Sequence, residues 1–287
     1  DRFERNPLII EKRGIKIAFL NYMDEIENTT DVTPIVNTVA THTVILDANG
    51  QATLTPEELN VSSTDNCTNT PLTYHFALGF DGNLNCSDID GNGKPVYVFV
   101  KDGSGNTSGV RLTTVTIVDN IDPVISTNNI VRSLDASGSV SVTAADFNNN
   151  TTDACGIATM TVTPNTFDCS NIGINSVTFT ATDENGNTAS STAFITIKDD
   201  MDPIVSTQDI TIQLTAGGTA VITAADVDNG TTDNCGLTLS LNQTDFDCSN
   251  VGANTVTLTA TDANGNIATG TANVTVEDVT APTVLTQ

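Results

Sequence analysis

Pro123–Gly156 reads PVISTNNIVRSLDASGSVSVTAADFNNNTTDACG, and Pro203–Gly236 reads PIVSTQDITIQLTAGGTAVITAADVDNGTTDNCG. The two tracts are one unit written twice. A looser copy starts at Pro34, and Ala281-Pro282-Thr283-Val284 opens a fourth. The four prolines are 89, 80 and 79 residues apart, longer than helical solenoid periods and close to one small β domain per unit. Inside the second copy, SVSVTA, ATMTVT, SVTFTAT and TAFITI alternate apolar residues with Thr or Ser, the period-two pattern of half-buried strands. Between them stand turn formers: Asp135-Ala136-Ser137-Gly138, Asn148 to Asp153, and Glu184-Asn185-Gly186-Asn187. No window carries a sustained helical stripe. The expected fold is all-β: tandem immunoglobulin-like antiparallel β-sandwich modules in a linear array.

The expected boundaries are 31–118, 119–198 and 199–278 for three modules, with 279–287 starting a fourth. Residues 1–30 belong to none of them. Pro7 to Leu20 reads as two apolar strands around Lys12-Arg13-Gly14. Three readings compete: the tail of a preceding domain, a cap on the first module, or a strand pair through which chains self-associate.

The composition narrows the function classes. Of 287 residues, 35 are acidic and 10 basic, a net charge of −25, and from Asp200 onward there is no Lys or Arg. Nucleic acid is excluded as a partner because phosphate contacts need clustered cations. No stretch approaches the ~20 apolar residues of a membrane span, and no basic-then-apolar leader opens the chain, so any export signal or anchor is expected outside this sequence. Trp is absent, which argues against a stacking platform for sugars. No GxSxG, Walker, HExxH or Rossmann fingerprint occurs, and the abundant carboxylates recur in every copy, unlike a unique acid/base pair.

Six cysteines fall one pair per repeat, Cys67 and Cys86, Cys155 and Cys169, Cys235 and Cys248, at separations of 19, 14 and 13 residues. Six cysteines permit fifteen pairings, and one pair per repeat makes bridges within each repeat the economical expectation. Such bridges imply an oxidising compartment. A zinc site lacks CxxC spacing and a partner histidine.

The recurring chemistry is acidic. Carboxylates return nine residues before the first cysteine of each copy (Glu58, Asp146, Asp226) and two before it (Asp65, Asp153, Asp233). They return again at the head of the last hairpin (Asp102, Asp183, Asp262), joined there by Asn185 and Asn264. Each copy after the first is entered through a further pair, Asp119 and Asp122, then Asp199 and Asp202. In a sandwich of this type these loops meet at the end where the chain enters, so each junction would crowd five or six carboxylates. Like charges this close are costly unless a cation sits among them, and hard oxygens suit calcium. The expectation is one calcium ion per junction, against a rival in which Asp and Asn merely bond their own turns. In the first copy, Asp88, Asp90, Asn92 and Gly93 copy the first half of an EF-hand loop, but Phe99 stands where its last ligand belongs.

The order ITAADVDNGTTDNCG, FDCSNVGANTVTLTATDANGN, then a strand ending in VEDVTAP resembles the hyalin-repeat (HYR-type) modules found in tandem in surface and secreted proteins of Bacteroidota, including gliding-motility adhesins. The resemblance covers residues 31–287 and is closest in the second and third copies. It implies a cell-surface, extracellular, non-catalytic adhesin or stalk exported by the type IX route. The neighbouring repeats are then each module's own partners, and the surface receptor or glycan is named by no motif. The alternatives are an accessory repeat region of a secreted hydrolase or a subunit of an extracellular filament.

Overall fold

The computed structural model describes residues 8–12, 15–19, 32–67 and 71–282. Strands β1 (Leu8–Lys12) and β2 (Ile15–Phe19) pair antiparallel, with Leu8 opposite Phe19 and Lys12 opposite Ile15. The rest of residues 1–30, on which the cap and self-association readings depend, lies outside the described residues, as does most of the fourth copy.

Each repeat builds the same two sheets. The first contains β3 (Thr41–Ile45), β4 (Gln51–Thr53), β5 (Thr73–Phe76), β6 (Asn83–Asn85), β7 (Lys94–Lys101) and β8 (Arg111–Val118). The second contains β9 (Ile130–Ser133), β10 (Ser139–Ser141), β11 (Ile157–Thr163), β12 (Thr166–Asp168), β13 (Gly173–Asp183) and β14 (Thr188–Lys198). The third repeats the set as β15 (Ile210–Gln213), β16 (Thr219–Val221), β17 (Leu237–Leu241), β18 (Asp245–Asp247), β19 (Gly252–Asp262) and β20 (Ile267–Glu277). The four-stranded orders are β3-β8-β7-β5, β9-β14-β13-β11 and β15-β20-β19-β17, each faced by a two-stranded sheet, β4-β6, β10-β12 or β16-β18. In every repeat the first strand of the large sheet runs parallel to the last. The chain is all-β, with three tandem immunoglobulin-like sandwiches.

The strands form where alternation lets one face bury. Along β13, Val177, Phe179 and Ala181 point inward between Thr and Ser that face out, and β14 answers with Ala193, Ile195 and Ile197. Phe167 on β12 and Val142 close the core from the small sheet. The third core has Val256, Leu258, Val274, Val276 and Phe246 in the same roles. Two short helices, α1 (Ala144–Phe147) and α2 (Ala224–Val227), bury Phe147 and Val227.

By compactness the chain divides into two units. One holds residues up to Pro123 together with Asp153–Gly156 and Asp183–Asn187; the other holds Val124–Thr152, Ile157–Thr182 and Thr188 onward. Two loop tips of the second repeat thus group with the first.

Candidate functional site

Glu58, Asp146 and Asp226 join neither of the two acidic clusters among the described residues. Glu58 lies in a 3-10 turn, Pro56–Leu59, and Asp146 and Asp226 in α1 and α2; their carboxylates accept the backbone N–H groups of Thr55 (3.0 Å), Thr143 (2.7 Å) and Thr223 (2.6 Å). Asp146 also pairs with Arg132 at 2.6 Å. Capping donors satisfied this way hold each carboxylate as a local acceptor. Asp88 does the same for Asn85 N–H (2.9 Å) and is in addition ion-paired with Lys94. Asp90 accepts from Asn92 N–H (3.0 Å) and Gly93 N–H (2.9 Å), so the Asp88–Gly93 segment forms an aspartate turn with the Lys94 ammonium beside Asp88. Asp122, Asp202, Asn92, Asn185 and Asn264 are exposed, but the Asn264 side-chain amide donates to the Asp199 carbonyl at 3.2 Å.

Five of the remaining carboxylates gather in two clusters; Asp65, Asp102 and Asp183 join neither. In the first unit, one oxygen each of Asp119 and Asp153 and the sulfur of Cys155, which is taken up in a disulfide with Cys86, lie within 4.8 Å of one another; in the second, one oxygen each of Asp199, Asp233 and Asp262 do so. Asp119 and Asp199 leave the ends of β8 and β14, where each turns its Oδ1 onto the backbone two residues ahead, Ile121 N–H at 3.0 Å and Met201 N–H at 3.2 Å. Their other oxygens are buried and without a hydrogen-bond partner. Asp153 and Asp233 each accept the N–H of the following cysteine at 2.8 Å, and Asp233 Oδ1 is again buried and unpartnered. Asp65 repeats this in the first copy, with Cys67 N–H at 3.1 Å and an orphaned Oδ1.

The hairpin heads are built identically. Asp262 Oδ1 accepts from Asn264 N–H and Asn266 N–H, both at 2.8 Å, and Oδ2 from the Asn266 side-chain amide at 2.7 Å; Asp183 and Asp102 make the corresponding three contacts. Burial pushes these three carboxyls up, and the donors, led by the asparagine side chain, more than offset it, so all three titrate below the usual aspartate range.

Three further asparagines bond the entry aspartates and were not among the sequence candidates. Asn187 donates to the Asp119 carbonyl (3.1 Å), Asn266 to the Asp199 carbonyl (3.0 Å), and Asn234 to Asp199 Oδ1 (3.1 Å), leaving Asn234 Oδ1 buried and orphaned. The signal for the first two was present: an Asn ends the hairpin turn of all three copies, at Asn106, Asn187 and Asn266.

The cysteines correct the expected pairing. Cys86 bonds Cys155 with Cα atoms 5.2 Å apart, and Cys169 bonds Cys235 at 5.4 Å. No bridge joins Cys67 to Cys86, Cys155 to Cys169 or Cys235 to Cys248, and Cys248 is an exposed thiol. The reason is geometric. Cys248 lies before the first residue of β19, whereas Cys235 lies two residues before Leu237, which pairs with Asp262 at the far end of β19, and 11 extended residues span roughly 35 Å. A disulfide needs Cα atoms within about 7 Å. Each repeat therefore carries its first cysteine at the entry and its second at the exit, and bridges form across junctions.

No family model matches the chain. Hyalin of Strongylocentrotus purpuratus is 34% identical over 201 residues, which are 66% of this chain and 16% of the length of that protein. At this modest identity the chain is similar to a hyalin-like repeat region. Among solved structures, an I-band fragment of titin matches with a TM-score of 0.41 at 10% identity, covering 86% of this chain and 99% of that one. A fragment of Drosophila N-cadherin matches at 0.32 and 14%, covering 94% and 81%. A protocadherin gamma fragment matches at 0.32 and 13%, covering 84% and 75%. Scores of this size carry no argument, and the all-β architecture stands on the strand pairings above. No described helix is long and apolar enough to cross a membrane. Disulfides fit an extracellular, oxidising location.

Proposed function

We propose that this chain is a non-catalytic extracellular spacer or adhesive segment whose repeats are fastened at each junction by one disulfide and one calcium ion. The observation that carries the reading is the set of buried carboxylate oxygens without donors, Asp119 Oδ2, Asp199 Oδ2 and Asp233 Oδ1. An anionic oxygen removed from water without a partner is expensive, and two acidic groups within 4.8 Å of each other at the first junction, and three at the second, multiply the cost. Calcium takes six to eight oxygens at roughly 2.4 Å and accepts amide oxygens and water beside carboxylates. At the second junction Asp199, Asp233, Asp262 and the Asn234 amide oxygen would supply the protein share. At the first, Asp119 and Asp153 would do so, with Asp183 held close by its asparagine.

The test is thermal unfolding of the oxidised chain in excess chelator and in ~5 mM calcium. For a dissociation constant of roughly 0.1 mM, usual for extracellular modules, calcium stabilises by about 2 kcal/mol, or on the order of 10 °C for a module of this size. An unchanged transition temperature overturns the metal assignment.

The finer reading, a cell-surface adhesin or stalk of a large exported Bacteroidota protein sent out by the type IX route, is supported by the motif order ITAADVDNGTTDNCG to VEDVTAP. Sequencing the whole gene tests it: many further repeats and a C-terminal sorting domain support it, and an adjoining hydrolase domain refutes it.

A further inference from the structure

The exit end of the third repeat carries every element of the two junctions except what covers them. In the first repeat, Cys86 Sγ lies 3.6 Å from the carbonyl of Gly50 and 3.5 Å from that of Ala154. In the second, Cys169 Sγ lies 3.7 Å from the Gly138 carbonyl and 3.4 Å from that of Asn234. In the third, Cys248 Sγ lies 3.8 Å from the Gly218 carbonyl, and no second carbonyl contact is made to it among the described residues. The glycines repeat the pattern. A Cβ built on Gly50 meets Cys86 Sγ at 2.5 Å and Ala154 at 3.2 Å; on Gly138 it meets Cys169 Sγ at 2.9 Å and the Asn234 carbonyl at 2.6 Å; on Gly218 it meets Cys248 Sγ alone, at 2.9 Å. All three glycines hold φ near +70°. Gly50 and Gly138 are buried and Gly218 is not; Cys86 and Cys169 are half-buried and Cys248 is exposed.

The acidic half is preset too. Asp278 follows β20 as Asp199 follows β14, and its Oδ1 accepts Thr280 N–H at 2.9 Å, as Asp199 Oδ1 accepts Met201 N–H. Asp119 and Asp199 are buried, while Asp278 is exposed. Turn, thiol and aspartate thus share one conformation with their counterparts and lack only the cover.

We propose that the Gly218 turn, Cys248 and Asp278 form a docking face for one further module of this repeat type, seated through an Asp-x-Cys-Gly loop and locked by a disulfide to Cys248. The occupant is specified by what covers the equivalent faces: loop 153–156 with hairpin head 183–187 in one unit, and Asn234-Cys235 with Asp262–Asn266 in the other. Closing the bond requires an oxidant, here a small-molecule disulfide such as oxidised glutathione. The Cys248 thiolate displaces one glutathione thiolate to give a mixed disulfide, and the loop thiolate then displaces the second. Two thiols and one oxidised glutathione give one protein disulfide and two reduced glutathiones.

The test extends the full chain. A copy of residues 129–198 is attached after Gln287, in frame with the proline-led opening at Pro282, and the protein is equilibrated in a glutathione redox buffer. Trypsin has no site after Lys198 in the present chain, so cleavage before aspartate is used. The expected product links the peptide starting at Asp247 to the peptide of the appended Asp-Ala-Cys-Gly loop. A bond between the two appended cysteines, or Cys248 recovered only with glutathione, overturns the proposal. In a second extended chain the appended loop cysteine is replaced by serine. Docking without the bond then slows alkylation of Cys248 by iodoacetamide at least several-fold relative to the unextended chain. An equal rate overturns the proposal.

Discussion

Asp233→Asn separates a cation site from a set of ordinary turns, because it removes one charge and keeps the shape. The amide oxygen can still accept the Cys235 N–H that Asp233 Oδ2 holds at 2.8 Å. What changes is the repulsion with Asp199 and Asp262, whose oxygens lie within 4.8 Å. At that distance two unit charges repel by about 3.5 kcal/mol at an effective dielectric of 20 and about 0.9 kcal/mol in water. Asp199 and Asp262 are buried and Asp233 half-buried, so each pair falls between these limits. Neutralising Asp233 relieves two pairs. In chelator the variant should be more stable than the parent at this junction by at least about 2 kcal/mol.

Calcium should reverse the advantage in increment. The parent gains about 2 kcal/mol at ~5 mM calcium, as above, whereas a site weakened roughly a hundredfold by losing a carboxylate gains only a few tenths. Hydrogen exchange across Gly252–Glu277 reads the effect locally, which matters because several modules do not unfold as one two-state system. If the variant is less stable than the parent in chelator, or if calcium protects both proteins equally, the cluster is held by its turns and the cation reading fails.

Non-reducing peptide mapping should recover Cys86 with Cys155 and Cys169 with Cys235, and no peptide joining Cys235 to Cys248. Gly138→Ala should block the Cys169–Cys235 bond, since its Cβ would fall 2.6 Å from the Asn234 carbonyl, while Gly218→Ala leaves both observed bridges intact on the same map. Phe179→Ala, at a fully buried position, should cost the second repeat about 4 kcal/mol in urea unfolding. Asp102, Asp183 and Asp262 have folded pKa values below the unfolded value near 3.8, so their stabilisation is present above that value and lost as pH falls through the folded values. Acid titration of Asp262→Asn should show a shallower loss in the third repeat than the parent.

The fold was legible because period-two alternation in SVTFTAT and TAFITI leaves no helical alternative, and the same signal recurs in each copy. The recurrence that put Asp119, Asp199 and Asp262 on the page as candidates was legible for the same reason, and these three lie in the acidic clusters, whereas the hairpin counterparts Asp102 and Asp183 do not. Glu58, Asp146 and Asp226 misled because an acidic residue one turn into a helix and an acidic residue at a junction look alike in sequence. Only the Thr three residues earlier, at Thr55, Thr143 and Thr223, marks them as caps. Cysteine pairing was not legible by counting. One pair per repeat is equally compatible with bridges inside and between repeats, and the choice depends on which end of an 11-residue strand each cysteine occupies.

That displacement changes what the bridges do. A bridge inside a repeat would close about 14 residues and restrain one unfolded module by roughly 3 kcal/mol in the chain-entropy model. The observed bridges span 69 and 66 residues, worth about 4 kcal/mol each in the same model. The loop between Cys86 and Cys155 encloses β7 and β8 of one repeat with β9, β10 and α1 of the next. The covalent period is therefore staggered by half a module against the folding period. Unfolding the later repeat leaves its entry cysteine, Cys155 or Cys235, tethered to a folded neighbour, two residues from the aspartate whose carboxylate holds that cysteine's N–H in the folded state. Refolding then starts with the entry loop already delivered to its junction, so reduction should slow recovery after thermal unfolding more than it lowers the stability of any single sandwich.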